Sequence, residues 1–198
     1  MDKPQTTAPN ALGRAVQRYG VVAQVLHWLI AALILTQIGL GWYMNEWLPD
    51  HSAAQDRITT LHISVGLTTL ILIVARIIWR LVHRPPPQPA GLPAWERLLA
   101  GVTHFLFYLL MLALPLTGWL LVSVHPDPIQ IWGLPWPHLP GASGLFATRP
   151  SRHLLQQVHT NYLIWIILAN LGLHVAGALK HQFEGHAVLW RMLPGGRR

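Results

Sequence analysis

Cysteine is missing from this chain and charge is scarce, and each absence narrows what the protein can be. With no cysteine there are no disulfides, thiolate metal sites, iron–sulfur clusters or C-x-x-C-H attachments of a c-type haem. Charged residues make up 11% of the 198, against roughly 25% in an average soluble domain. Asp and Glu together number only 7, and none lies deep in an apolar stretch, where carboxylate-based transporters keep theirs. The chain also has no internal repeat, no phosphate-cradling glycine motif and no Ser-His-Asp pattern.

What is plentiful is apolar residue, 52% of the total, gathered into four blocks. They run at about Val21–Met44, Ile58–Val82, Leu98–Val124 and Leu154–Leu179. Each exceeds the ~20 residues a helix needs to cross a hydrocarbon core. Backbone groups in lipid must bond internally, so these segments are expected to be helices. The sequence therefore predicts an all-α integral membrane protein: one membrane domain over 1–198, built as a four-transmembrane-helix bundle. The polar stretch 1–20 precedes an apolar block too long for a cleaved signal peptide, so the first helix is expected to direct its own insertion.

Basic residues assign the sides. In an even-span topology Lys3, Arg14, Arg18, Arg76, Arg80, Arg84, Arg97, Lys180, Arg191, Arg197 and Arg198 share one side. Arg57, Arg149 and Arg152 take the other. The positive-inside rule then predicts that both termini are cytoplasmic and that 125–153 is an outer, periplasmic loop. The net charge of +7 is explained by this asymmetry, so no nucleic-acid partner is expected. Arg84-Pro85-Pro86-Pro87-Gln88-Pro89 reads as a stiff spacer. Trp132 and Trp136 in the outer loop are expected at headgroup level, and Pro115 is a candidate kink in the third span.

Of twelve histidines, His27, His62, His104, His159 and His174 fall within spans. A lone histidine at membrane depth commonly serves helix–helix hydrogen bonding or a proton path, but depth here pairs them. His27 lies about seven residues, ~10 Å, past the inner start of span one, and His174 lies as far from the inner end of span four. His62 and His159 match in the same way near the outer surface. On span four His159 and His174 stand 15 positions apart, which is ~22 Å of rise and about 60° of rotation in a regular helix. A low-spin haem iron takes two axial imidazoles from opposite sides. Two haems, one near each surface, with span four as a shared wall, satisfy all four residues. Without cysteine both are b-type. Zinc usually takes tighter clusters with carboxylates, which the spans lack.

Leu26-His27-Trp28, Leu61-His62-Ile63-Ser64-Val65-Gly66 and Val74-Ala75-Arg76 together resemble the bacterial cytochrome b561 family. So do His104 with Leu114-Pro115-Leu116-Thr117-Gly118-Trp119, and His159 with Leu173-His174. The resemblance covers about residues 18–195 and looks closest to four-helix, two-haem members that act as superoxide:ubiquinone oxidoreductases. It implies the same ligand pairs, His27 with His174 and His62 with His159, and a place in the bacterial cytoplasmic (inner) membrane.

Other residues carry weaker expectations. His104 is a packing or haem-propionate contact, or a quinone partner. His181 is interfacial, near a propionate or quinone. Arg76 and Arg80 need partners at membrane depth, and a propionate is the obvious one. Arg57, Arg149 and Arg152, with His153, form a positive patch that is either an ordinary solvated loop or an electrostatic funnel for a small anion such as superoxide. His51, His83, His125, His138 and His186 read as surface or loop residues. The expected activity is oxidation of superoxide outside, with electrons passed through the haems to ubiquinone in the membrane quinone pool. The alternative is a quinone-linked electron-relay subunit, a cytochrome b anchor for a partner dehydrogenase or hydrogenase. A redox sensor or a metal or proton transporter is a third class, poorly matched because no sensory domain or deep carboxylate is present.

Overall fold

The computed structural model describes residues 18–88, 91–186 and 188–193. Lys3, Arg14, Arg197 and Arg198, used above to orient the chain, lie outside the described residues. Four helices among the described residues are long and apolar enough to cross a membrane. The first three are α1 (Val21–Glu46), α2 (Ala53–Val82) and α3 (Ala94–Ser123). The fourth is a continuous 35-residue helix, Arg149–Phe183. It consists of α5 (Arg149–Gln157), a π-helical turn at Val158–Tyr162 and α6 (Leu163–Phe183).

All four cross where the apolar blocks predict, but several run further. Polar turns extend the helices because side chains are available to close them. Ser52 caps α2 by accepting a hydrogen bond from the Gln55 amide, with Asp56 in the first turn. Thr148 caps α5 through the Ser151 amide. Helix α3 continues through Pro115, which contributes no backbone donor. Two residues on, the Thr117 hydroxyl donates to the Ala113 and Leu114 carbonyls, at 2.8 and 2.9 Å.

Large apolar side chains such as Val25, Leu35, Ile78 and Phe105 point outward and are exposed, as the outer surface of a membrane bundle requires. The inner packing centres on Ile30, Ile73 and Met111, one from each of the first three helices. Close packing runs in series, α1 on α2, α2 on α3 and α3 on α6. Asn170 of α6, buried, donates to the Thr103 carbonyl of α3 at 3.2 Å; such ties average about 0.6 kcal/mol in membrane bundles. Across from this series, the fourth helix faces α1 and α2 through histidine rings rather than through closely packed backbone.

The connection between α3 and α5 is more than a loop. It contains a two-stranded hairpin, β1 (Ile129–Ile131) and β2 (Leu134–Trp136), and a short helix α4 (Ala142–Leu145). The all-α expectation is thus qualified by a small β element. Its turn places Trp132 and Gly133 at φ 52° and 81°, the left-handed pair that a type I′ hairpin demands. The Trp132 amide donates to the Ser64 hydroxyl at 3.1 Å, and its indole donates to the Thr68 hydroxyl at 2.9 Å. These bonds to α2 account for a bulky residue in that conformation. Ile129 and Ile131 are buried against Leu67, and the Trp119 indole of α3 donates to the Pro137 carbonyl at 2.9 Å. Trp132 and Trp136 are therefore tied to the bundle, an arrangement that composition alone did not reveal.

At the opposite end the first and last described segments of the chain meet. The Tyr19 amide donates to the Arg191 carbonyl at 3.1 Å, and the Trp28 indole donates to the Met192 carbonyl at 2.8 Å. Buried Gln24 donates to the Tyr19 carbonyl, and the Arg18 guanidinium donates to the Leu193 carbonyl. Arg191 reaches the Pro87 carbonyl between α2 and α3 at 2.6 Å. The bundle thus has a termini end and a hairpin end.

Candidate functional site

The fourth helix carries two histidines, His159 in its π turn and His174 on α6, each opposite a histidine of another helix. Near the hairpin end, His62 of α2 faces His159 in the π turn, with ring centroids 6.3 Å apart. Near the termini end, His27 of α1 faces His174 of α6, again at 6.3 Å. Two imidazoles bound on opposite sides of one metal have nitrogens about 2 Å from it and ring centres about 1 Å further back, so both pairs have the separation that shared ligation needs. The pairing expected from depth is the pairing the fold makes.

The π turn has a consequence for this geometry. In a regular helix His159 and His174 would differ by about 60° in direction. A π turn takes more residues per revolution, which removes rotation from that offset. Five residues, Val158–Tyr162, are wound this way and include His159 itself.

The hairpin-end pair sits in a cradle of small residues. A β-carbon at Gly118 would stand 2.9 Å from His159 Cε1, and one at Gly41 would stand 3.7 Å from His62 Cε1. Thr117 Oγ1 lies 3.0 Å from His159 Nδ1. With Nδ1 as the donor, this bond fixes the ring and leaves Nε2 with a lone pair for a metal. Gln37 of α1 donates to the His62 carbonyl at 2.9 Å. The His62 Nδ1 atom is buried with no hydrogen-bond partner among the described residues.

The termini-end pair has different company. Arg76 donates to the Ala23 carbonyl at 3.2 Å and stands 3.4 Å from His27 Nδ1. His104 adds a third imidazole, its centroid 5.5 Å from that of His174, and Phe107 meets His174 edge-on at 5.2 Å. His104 Nδ1 donates to the Ala100 carbonyl at 2.7 Å, which leaves its Nε2 as an acceptor. Arg76 and Arg80 line a cleft of about 470 Å³ that also touches Tyr19, Trp79 and Tyr108. The Arg80 guanidinium lies over the Tyr108 ring at 5.4 Å. Two cations at the mouth of such a cleft suit an anionic group, as a propionate would be.

The remaining candidates are spread out. Arg57 is exposed near the start of α2, and Arg149 and Arg152 are exposed on α5 with His153. All are at the hairpin end, and among the described residues none of the three arginine side chains makes a hydrogen bond or an ion pair. His181 lies at the termini end facing Glu96 and Glu184. The hydrogen bond from Lys180 holds the Glu184 carboxyl below its ordinary range. Sequence reasoning named neither Thr117 nor Gly118 as site residues, although both lie in the Leu-Pro-Leu-Thr-Gly-Trp segment, and it passed over Glu96, Glu184 and His186.

Paired histidines bridging helices of a four-helix membrane bundle, without cysteine, define a membrane cytochrome that binds haem b. The family model described as prokaryotic cytochrome b561 matches residues 18–195, and the chain belongs to that family. Cytochrome b561 homolog 2 of Escherichia coli (strain K12) is 30% identical over 179 residues, 89% of this chain and 92% of its own. The Yersinia pestis protein named probable superoxide oxidase CybB is 29% identical over 187 residues, 91% of this chain and 98% of its own. Cytochrome b561 homolog 1 of Escherichia coli (strain K12) is 25% identical over 184 residues, 90% and 98% of the two chains. The protein is accordingly a bacterial membrane protein of electron transport.

Proposed function

We propose that the chain holds two haems b and oxidises superoxide to oxygen, passing the electrons to ubiquinone. The observation that carries this reading is the pair of 6.3 Å histidine couples set at opposite ends of one helix. The similarity to a relative named probable superoxide oxidase supports the choice of donor. Haem, when bound, supplies reversible one-electron transfer. Two superoxide anions give two oxygen molecules and two electrons, and these with two protons convert one ubiquinone to ubiquinol.

The protein's own residues orient and tune. His62 and His159 would hold one iron and His27 and His174 the other. Thr117 keeps the His159 ring in one tautomer, and Gly118 leaves room for it. Arg57, Arg149 and Arg152 raise the local concentration of a small anion at the hairpin end. That end faces the periplasm and the opposite end the cytoplasm, because 7 of the 10 basic residues among the described ones fall on the opposite side. Arg76 and Arg80, lining a cleft, would neutralise the propionates of the haem beside His27.

A stopped-flow pulse of superoxide onto the oxidised protein, followed at the haem bands, tests this reading. Reduction of the bands, then reoxidation only when ubiquinone is present, is the expected result. Bands that stay oxidised under superoxide, yet exchange electrons with ubiquinol, would transfer the function to the relay subunit of a partner dehydrogenase or hydrogenase.

A further inference from the structure

The cytoplasmic turn after α6 collects groups that haem binding does not use. Helix α6 ends at Phe183, and Gly185 adopts φ 83°, the left-handed conformation that reverses the chain after a helix. The reversal returns the His186 amide to the His181 carbonyl, a 2.9 Å hydrogen bond, and brings the two rings to 5.9 Å. Glu184 stands between them in sequence, and one donor atom from each of His181, Glu184 and His186 lies within 4.8 Å of the others.

A second observation comes from another helix. Glu96, in the first turn of α3, is 9% exposed. Lys180 binds its Oε1 at 3.0 Å, but its Oε2 is buried with no hydrogen-bond partner among the described residues. That atom lies 3.6 Å from His181 Nδ1, which is likewise buried without a hydrogen-bond partner. A buried carboxylate oxygen without a hydrogen bond is costly, and the imidazole it faces is shared with Glu184, whose Oε2 lies 3.5 Å from the same Nδ1. Lys180 also binds Glu184, at 2.8 Å, so one ammonium is shared by two carboxylates and the cluster keeps net negative charge when its imidazoles are neutral. The carboxyl end of a helix adds partial negative charge of its own.

We propose that His181, Glu184 and His186 bind a first-row divalent cation of the zinc type, with the buried Glu96 carboxylate as the fourth group. Two imidazoles and two carboxylates are a donor set suited to zinc, nickel or copper and poorly suited to calcium or magnesium. Donors around a zinc ion stand roughly 3.3 Å apart, close to the 3.6 Å between Glu96 Oε2 and His181 Nδ1 and within the 4.8 Å that holds the other three donor atoms. The bound ion ties the end of α6 to the start of α3. This inference is independent of the superoxide reading.

The test uses the full-length, haem-loaded protein without a histidine tag, stripped with a chelator and titrated with Zn²⁺ by equilibrium dialysis and metal analysis. One zinc per chain is expected, with an imidazole and oxygen shell in zinc-edge X-ray absorption. His186→Ala and Glu96→Gln should each weaken binding at least about tenfold while the haem bands stay unchanged. Lys180→Met, which removes a competing positive charge, should tighten it. The absence of stoichiometric zinc would overturn the proposal, as would undiminished zinc in a His186→Ala, Glu184→Gln double variant. If the Glu96 variant loses haem through misfolding, the absorption spectrum of the unmutated protein still decides, because a shell without imidazole rules the site out.

Discussion

The two histidine pairs share one ring separation and almost nothing else. At the hairpin end His159 is clasped, with Thr117 on its Nδ1 and Gly118 against its edge, and a β-hairpin docks on α2 beside it. At the termini end the neighbours are Arg76, His104 and Phe107, and a cleft opens past Arg80. The first environment fixes a ring by a neutral hydrogen bond and steric fit. The second surrounds a ring with cations and a further imidazole. Two sites on one helix can therefore be tuned apart electrostatically, since a nearby positive charge favours the electron-rich state and a neutral cradle does not.

The sharpest way to break the comparison is to remove ligands. Replacing His62 or His159 by Ala should remove one haem and the same one, halving the haem-to-protein ratio, and replacing His27 or His174 should remove the other. Haem content and low-temperature spectra check this, and a shared spectrum for His62→Ala and His174→Ala would refute the pairing. Gly118→Val comes next. Even a single β-carbon there would stand 2.9 Å from the His159 ring, so the hairpin-end haem should be lost or displaced while the other spectrum is retained.

Smaller changes sharpen the contrast. Thr117→Val removes the hydrogen bond to His159 but keeps the shape, and about a tenfold loss of haem retention is expected at that site alone. Arg76→Gln should lower the midpoint potential of the termini-end centre and leave the hairpin-end centre where it was, as a spectroelectrochemical titration would measure. The smallest effect belongs to the surface. An Arg149→Glu, Arg152→Glu variant should oxidise superoxide about three- to tenfold more slowly at low salt, with weaker salt dependence. An unchanged rate would remove the arginines from the reaction.

Much of this was legible beforehand for reasons that particular residues make plain. His27 and His174 pair because depth in a membrane follows residue count along a helix, and the blocks are long enough to count from. The same holds for His62 and His159. Thr117 was not legible as a partner of His159, since 42 positions separate them and only the packing of α3 on the fourth helix joins them. The hairpin escaped because Trp132 and Trp136 have the composition of a headgroup belt, while Trp132 is tethered to the hydroxyls of Ser64 and Thr68 a span away and Trp136 packs against Trp119. The π turn escaped because no residue type encodes it. His186 was read as a surface histidine, and the left-handed Gly185 returns it to His181.

By itself the sequence determined that the chain crosses a membrane in four helices and that its histidines pair by depth. Both follow from hydrophobicity and a fixed rise per residue, which are properties of one segment at a time. The tertiary structure alone decided which groups surround each pair: Thr117 and Gly118 at one end, Arg76 and His104 at the other, and buried Glu96 against His181. Those contacts join residues distant in the chain, and their geometry depends on helix rotation and side-chain packing that no single segment specifies.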